Sequence, residues 1–180
     1  PSADAGLVPG SPYLVMDYAS HGTLASLSGS ILPWGILQKL LLALLSSLGH
    51  AHARGVLHRD VKPGNVLFCG DDDPLPGLKL SDFGLAVPEY TESGYKSTSA
   101  GTPGFMPPEQ IRGQQGQMGP WTDLYAVGCI AYQLAAGRPP FAAESGLALS
   151  MKHLSESRPA LHPLMDVPPL FNQWVLRLLS

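Results

Sequence analysis

His58-Arg59-Asp60-Val61-Lys62-Pro63-Gly64-Asn65, followed a short way on by Asp82-Phe83-Gly84, is the stretch that organises this 180-residue chain. Phosphoryl transfer asks for little covalent chemistry from a protein. It needs a carboxylate facing the accepting hydroxyl, hard oxygen ligands for Mg²⁺, and a cation near the transferred group. Asp60, Asn65 with Asp82, and Lys62 are residue types that fill those roles in turn. Taken singly, each side chain also has a plainer reading: a turn or capping carboxylate for Asp60, a surface lysine for Lys62, turn residues for Asn65 and Asp82.

Order along the chain carries the specificity, because a lone D-F-G is common in turns. H-R-D-V-K-P-G-N, then D-F-G, then P-P-E resembles the catalytic loop, magnesium loop and activation-segment end of a protein kinase. Gly101-Thr102-Pro103-Gly104-Phe105-Met106-Pro107-Pro108-Glu109 resembles the segment that seats a substrate peptide, with Pro107 where the family usually carries Ala. Asp123-Leu124-Tyr125-Ala126-Val127-Gly128 resembles the start of the family's central buried helix, and Gly137-Arg138-Pro139-Pro140-Phe141 the segment after it.

The resemblance implies an α+β fold, mainly α-helical: a kinase-like large lobe with a short β-hairpin at the catalytic face and no small lobe. Residues 1–19 would be a remnant of the small-lobe strand and hinge, and 20–180 the large lobe, truncated in its late helices. It implies ATP and Mg²⁺ as cofactors and protein serine or threonine hydroxyls as acceptors, an acceptor choice to which Lys62 and Thr102 point. Asp60, Lys62 and Arg59 would be catalytic. Met16, Asp17, Ala19, Asn65, Leu67 and Asp82 would bind the nucleotide, with Asn65 and Asp82 as the metal ligands and Met16 guarding the back of the adenine pocket. Thr102 and Gly104 would seat the substrate. His58, Phe83, Glu109 and Asp123 would be structural, His58 and Phe83 stacking the two loops and Asp123 bracing the catalytic loop from behind. The arginine that usually pairs with the glutamate of P-P-E would lie beyond Ser180, leaving Glu109 without an obvious partner.

Composition sets bounds on partners. Eleven Lys and Arg against fourteen Asp and Glu give a net charge of -3, which offers no basic patch for nucleic acid or an anionic membrane surface. The greasiest run, Leu40 to Leu45, is bounded by Lys39 and Ser46 and falls far short of the about 20 residues of a membrane span. Cys69 and Cys129 have no C-x-x-C spacing, so reduced, buried thiols and a cytoplasmic setting are expected. The first residue is Pro, and apolar helical spacing runs on to Ser180, so a piece of a longer protein is expected.

Leu37, Leu40, Leu41, Leu44, Leu45 and Leu48 recur at helical spacing, with Pro33 in the first turn and Gly55 as a left-handed stop. Asn65–Phe68 and Leu78–Leu80 predict a small hairpin across a Gly-, Pro- and Asp-rich loop. Its Asp71–Asp73 run lacks the ligand spacing of an EF-hand. Tyr13 to Met16 reads as a strand leading to a connector, and from its residues alone as an ordinary edge strand. Leu124 to Ala136 is apolar nearly all round and predicts a buried helix. A weaker helix is expected around Leu147 to Leu154, and a last one with Leu170, Phe171, Trp174, Val175 and Leu178 on one face. His21, His50, His52, His153 and His162 lack metal-ligand spacing and read as structural.

Between Gly84 and Gly101 the chain is rich in hydroxyls. Ser97 or Thr98 is a phosphorylation candidate whose phosphate Arg59 could meet, with a plain loop as the alternative. The kinase family also uses a Gly-rich loop, a strand lysine and a helix glutamate. The first lysine here is Lys39 and the first glutamate Glu89, both after the expected hinge, so weak activity is expected of this polypeptide alone. A kinase-shaped scaffolding module is the alternative, and a small-molecule phosphotransferase is disfavoured by the peptide-seating segment.

Overall fold

The computed structural model describes residues 18–69, 77–83, 102–155 and 157–180. Met16, Asp17, Ser97 and Thr98 lie outside the described residues, as do the strand expected at Tyr13–Met16, the Asp71–Asp73 run and Gly84. Among the described residues are five α-helices and one two-stranded antiparallel sheet, the mainly helical α+β architecture expected.

Helix α1 (Trp34–His52) buries Leu37, Leu40, Leu41, Leu44 and Leu48, while Leu42 faces outward. Pro33 stands at the cap, one position ahead of the helix. The far end closes as the sequence suggests: Gly55 adopts φ 72°, its N–H reaches His52 O at 2.9 Å, and Val56 N–H reaches Ala51 O at 3.1 Å. This Schellman closure favours glycine at its left-handed position, where a Cβ adds strain. It turns the chain sharply from α1 towards His58.

Strands β1 (Val66–Phe68) and β2 (Leu78–Leu80) pair in the register Val66↔Leu80 and Phe68↔Leu78. Asn65, expected in the first strand, instead ends a 3-10 turn, Pro63–Asn65, closed by Asn65 N–H to Lys62 O at 2.9 Å. Proline's fixed φ favours that turn over an extended start. The connector before α1 lies along β1, with His21 N–H to Phe68 O at 3.3 Å and Phe68 N–H to Gly22 O at 3.0 Å.

Helix α3 (Pro120–Ala136) is the centre of the core and is capped by Gly137 at φ 69°. Helix α5 (Phe171–Leu178) crosses it closely at Gly128, where a Cβ would lie 2.8 Å from Leu178 Cβ and 3.2 Å from Leu179 Cδ2. The rings of Trp34 and Phe171, 5.0 Å apart and edge to face, tie α5 to α1. Leu170, expected on the buried face, is 69% exposed because it precedes the helix as its cap; Phe171, Val175 and Leu179 are the residues that bury. Before α5 the proline-punctuated connector 157–170 is held irregularly but firmly. Tyr132 OH donates to Ala160 O at 3.0 Å, Leu164 N–H to Ala135 O at 2.8 Å, and Leu161 is buried.

Short helix α2 (Pro108–Ile111) and helix α4 (Gly146–Ser155) stand beside this core. His153 of α4 is buried; its Nδ1 lies 2.7 Å from Tyr125 OH, and Phe141 packs edge-on at 4.8 Å. Burial pushes the Tyr125 phenol up and His153 down to about 4, so the phenol donates to a neutral imidazole. Cys129 is buried and its thiol is pushed up by desolvation. Cys69, expected buried, is only partly so, sitting at the end of β1. Among the described residues no helix is long and apolar enough to cross a membrane.

Two measurements test this packing. Gly128→Ala overpacks the α3–α5 crossing and should cost about 1–3 kcal/mol, read as a lower denaturant midpoint. Because His153 binds a proton more weakly folded than unfolded, its contribution to stability is complete above pH about 6.5, falls with acidification, and is lost by pH about 4. Urea melts between pH 7 and 5 should show a loss that His153→Gln lacks, with a slope of at most about 1.4 kcal/mol per pH unit.

Candidate active site

Three segments meet here: the loop after α1, the turn and hairpin that follow it, and the first turn of α3. Asp123, 1% exposed, turns its carboxylate away from its own helix and towards the loop. Oδ1 accepts Arg59 N–H at 2.8 Å; Oδ2 accepts His58 N–H at 2.9 Å and the His52 Nε2 donor at 2.7 Å. A buried carboxylate is tolerable when it is so fully bonded, and charge-assisted bonds are about twice as strong as neutral ones.

His58 is fully buried and works through both ring nitrogens. Nε2–H donates to Ser81 O at 2.8 Å, while Nδ1 accepts Asp60 N–H at 3.3 Å. Its ring lies 4.5 Å from that of Phe83 at an interplanar angle of 45°, a tilted contact between the two loops. One side chain thus links the loop carrying Asp60 to the backbone just before Asp82.

Asp60 itself is gripped from two sides. Lys62 Nζ donates to Asp60 Oδ2 at 2.6 Å; Asn65 Nδ2 donates to Asp60 O at 2.9 Å and to Oδ2 at 3.1 Å. Among the described residues no hydrogen bond engages Asp60 Oδ1. The 3-10 turn at Pro63–Asn65 is what aims the asparagine at the aspartate. With both Asn65 amide bonds directed at Asp60, its carbonyl oxygen is left as a hard donor. Asp82 is brought alongside by its neighbour, whose Ser81 N–H reaches Asn65 O at 3.0 Å. The Asp82 side chain is exposed, and among the described residues no hydrogen bond joins it to Asp60 or Asn65. Among the described residues no group of three His, Cys, Asp or Glu side chains is spaced to hold a metal ion.

Backbone strain concentrates at the same place. Among the described residues, the only non-glycine residues with positive φ are Arg59 at 65° and Asp82 at 60°. Such left-handed conformations cost on the order of 1 kcal/mol each and persist where surrounding contacts over-determine them. A recess is lined by Arg59, Asp60, Thr102, Phe105, Met106 and Gln110, together with Ala126 of α3. Thr102 therefore faces the same recess as Arg59 and Asp60. Gly104 is not among the residues lining this recess; a Cβ there would meet only Leu149 at 3.8 Å. Pro107 adopts φ -73° and ψ 160° as the cap of α2, a conformation natural to proline. Ala19 and Leu67 lie at the connector and β1, where Ala19 O accepts Gly22 N–H at 3.3 Å and Leu67 bridges to Thr23.

Three partners escaped the sequence reading. Glu109, expected to lack one, accepts a hydrogen bond from Thr122 Oγ1 at 2.8 Å, and the same oxygen accepts Gly119 N–H at 3.1 Å. His52, read only as structural, bonds Asp123 across 71 positions. Gln110 Nε2 donates to Arg59 O at 2.7 Å. The sequence signal for His52 was its place on the last turn of α1, six residues ahead of His58. For Thr122 and Gln110 there was only adjacency to Asp123 and Glu109.

The Protein kinase domain family model matches residues 7–175 of this chain. The chain belongs to that family. It is 33% identical over 178 residues to a probable serine/threonine-protein kinase PknB of Bifidobacterium longum, covering 96% of this chain and 25% of that protein. It is 36% identical over 170 residues to serine/threonine-protein kinase PknL of Mycobacterium tuberculosis, covering 91% of this chain and 41% of that protein. With serine/threonine-protein kinase pkn3 of Myxococcus xanthus it shares 35% over 181 residues, covering 95% of this chain and 33% of that one. The chain thus spans less than half the length of these relatives.

Asp123→Asn would put an amide donor among groups that need an acceptor. It should destabilise the fold by about 2–4 kcal/mol, measured by urea titration.

Proposed function

We propose that this chain is the large-lobe portion of an ATP- and Mg²⁺-dependent protein kinase that phosphorylates serine or threonine hydroxyls. The observation that carries the reading is the grip of Lys62 and Asn65 on a single oxygen of Asp60. That grip leaves the other oxygen for an accepting hydroxyl. In this reading Asp60 orients the hydroxyl and finally takes its proton, a role that needs hydrogen-bond reach before anything else. Lys62, already beside Asp60, supplies positive charge where charge develops on the transferred group.

The donor set fits the metal. Asn65 Oδ1 and the exposed Asp82 carboxylate are hard oxygen donors of the kind Mg²⁺ takes, and they belong to adjacent backbone segments joined through Ser81. When bound, Mg²⁺ neutralises charge on the phosphate oxygens. Leu67, Ala19, Met16 and Asp17 are the residues proposed to meet the base of the nucleotide. Thr102 and Gly104 are proposed to seat the peptide, and Ser97 or Thr98 to carry a regulatory phosphate met by Arg59. Two free thiols suit a reducing, cytoplasmic setting. The polypeptide alone, with no lysine before Lys39, should turn over at least about 100-fold more slowly than the full-length protein, since one charge-stabilising contact is worth that much.

The test is Asp60→Asn in the full-length protein against a generic serine/threonine peptide. kcat should fall by about 100-fold or more, while ATP affinity by calorimetry changes by less than about threefold. Unchanged turnover would reject Asp60 as the base.

A further inference from the structure

Gln110 lies just past the P-P-E segment, on a different element from the catalytic loop, yet its Nε2 donates to Arg59 O at 2.7 Å. The peptide unit between Arg59 and Asp60 is thereby held at both ends. Its carbonyl is taken by Gln110, and its N–H by His58 Nδ1 at 3.3 Å. The preceding peptide unit is held by Asp123 Oδ1 at 2.8 Å. Between these bonds sits Arg59 at φ 65°, a left-handed conformation unfavourable for an arginine. The orientation of the Arg59–Asp60 peptide plane determines where the Asp60 side chain leaves the backbone. Its carbonyl can be met only by a donor, so the Gln110 amide nitrogen, not its oxygen, must face it.

Helix α2 is itself anchored. Glu109, next to Gln110, accepts from Thr122 Oγ1 at 2.8 Å, and Thr122 precedes Asp123. Neighbouring residues of α2 and α3 therefore hold the same loop, one through the carbonyl of Arg59 and the other through its N–H. We propose that Gln110 is a positioning residue: it fixes the Arg59–Asp60 peptide plane and so couples the arrangement of the substrate-seating segment to the orientation of Asp60. The inference rests on the assignment of Asp60 as the base.

Gln110→Ala removes the donor, and Gln110→Glu keeps the shape while replacing the donor with an acceptor. Both should be made in the full-length protein. Expected is a fall in kcat of about three- to tenfold, the worth of one neutral hydrogen bond, with KM for peptide and ATP within about twofold. Amide hydrogen exchange across residues 56–62 should quicken by a similar factor, with the thermal midpoint within about 5 °C of the parent, the shift that one lost hydrogen bond implies. Unaltered exchange in both variants, or faster exchange with kcat intact, would overturn the proposal. So would a loss of kcat that merely tracks a collapse of the thermal midpoint. If the parent protein shows no kinase activity, the functional reading fails by itself. The exchange measurement then still judges the tie: quickened exchange upholds Gln110 as the group holding the peptide plane, and unchanged exchange removes it.

Discussion

The arrangement depends on one buried carboxylate. Asp123 sits in the first turn of α3, yet its three hydrogen bonds go to His52, His58 and Arg59, on the other side of the helix–loop junction. A polar group in so dry a place is costly unless it is fully bonded. The loop supplies two of the donors that meet this demand, and the last turn of α1 supplies the third. In return the loop's backbone gains fixed acceptors, which lets Arg59 hold a left-handed conformation that an unsupported arginine would leave. The most deeply packed helix and the loop that carries Asp60 are therefore not separable: the core positions the loop, and the loop's N–H groups satisfy the buried Asp123 carboxylate of α3.

From that junction the contacts radiate outward in a short chain. His58 carries the positioning to the hairpin side through Ser81 O, and Asn65 carries it through the backbone that receives Ser81 N–H. Lys62 and Asn65 close on Asp60. Each link is a hydrogen bond to a backbone atom or to a carboxylate, and few involve two long mobile side chains. Such a network loses little entropy on forming because most of its atoms are already fixed by the fold. The second left-handed residue, Asp82, comes at the far end of this chain of contacts.

Much of the architecture was legible because apolar spacing reports burial. The leucines of α1 and the all-round apolar run of α3 folded as their periods imply, and Gly55 and Gly137 ended helices as residues free to take positive φ. The order of H-R-D, D-F-G and P-P-E pointed to the family that the chain proved to belong to. What stayed hidden were bonds between residues far apart in sequence. Nothing in local pattern links His52 to Asp123, Thr122 to Glu109, or Gln110 to a carbonyl on another element. Polar side chains carry no period, and a hydrogen bond is fixed by ångström-scale approach rather than by composition. Leu170 misled for a related reason: helical spacing marks a face, but a residue one step outside the helix no longer lies on it.

The connector between α4 and α5 shows how little regular structure is needed for order. With four prolines it reads as a spacer, yet α3 clasps it through Tyr132 and Ala135, and it sends Leu161 inward. It acts as a seal on the central helix. Anyone trimming this chain to a smaller unit would be tempted to cut in that proline-rich stretch. The cut would take away Phe171 and Val175 as well and leave one flank of α3, Gly128 included, open to water. The seam that looks like a natural border is part of the interior wall.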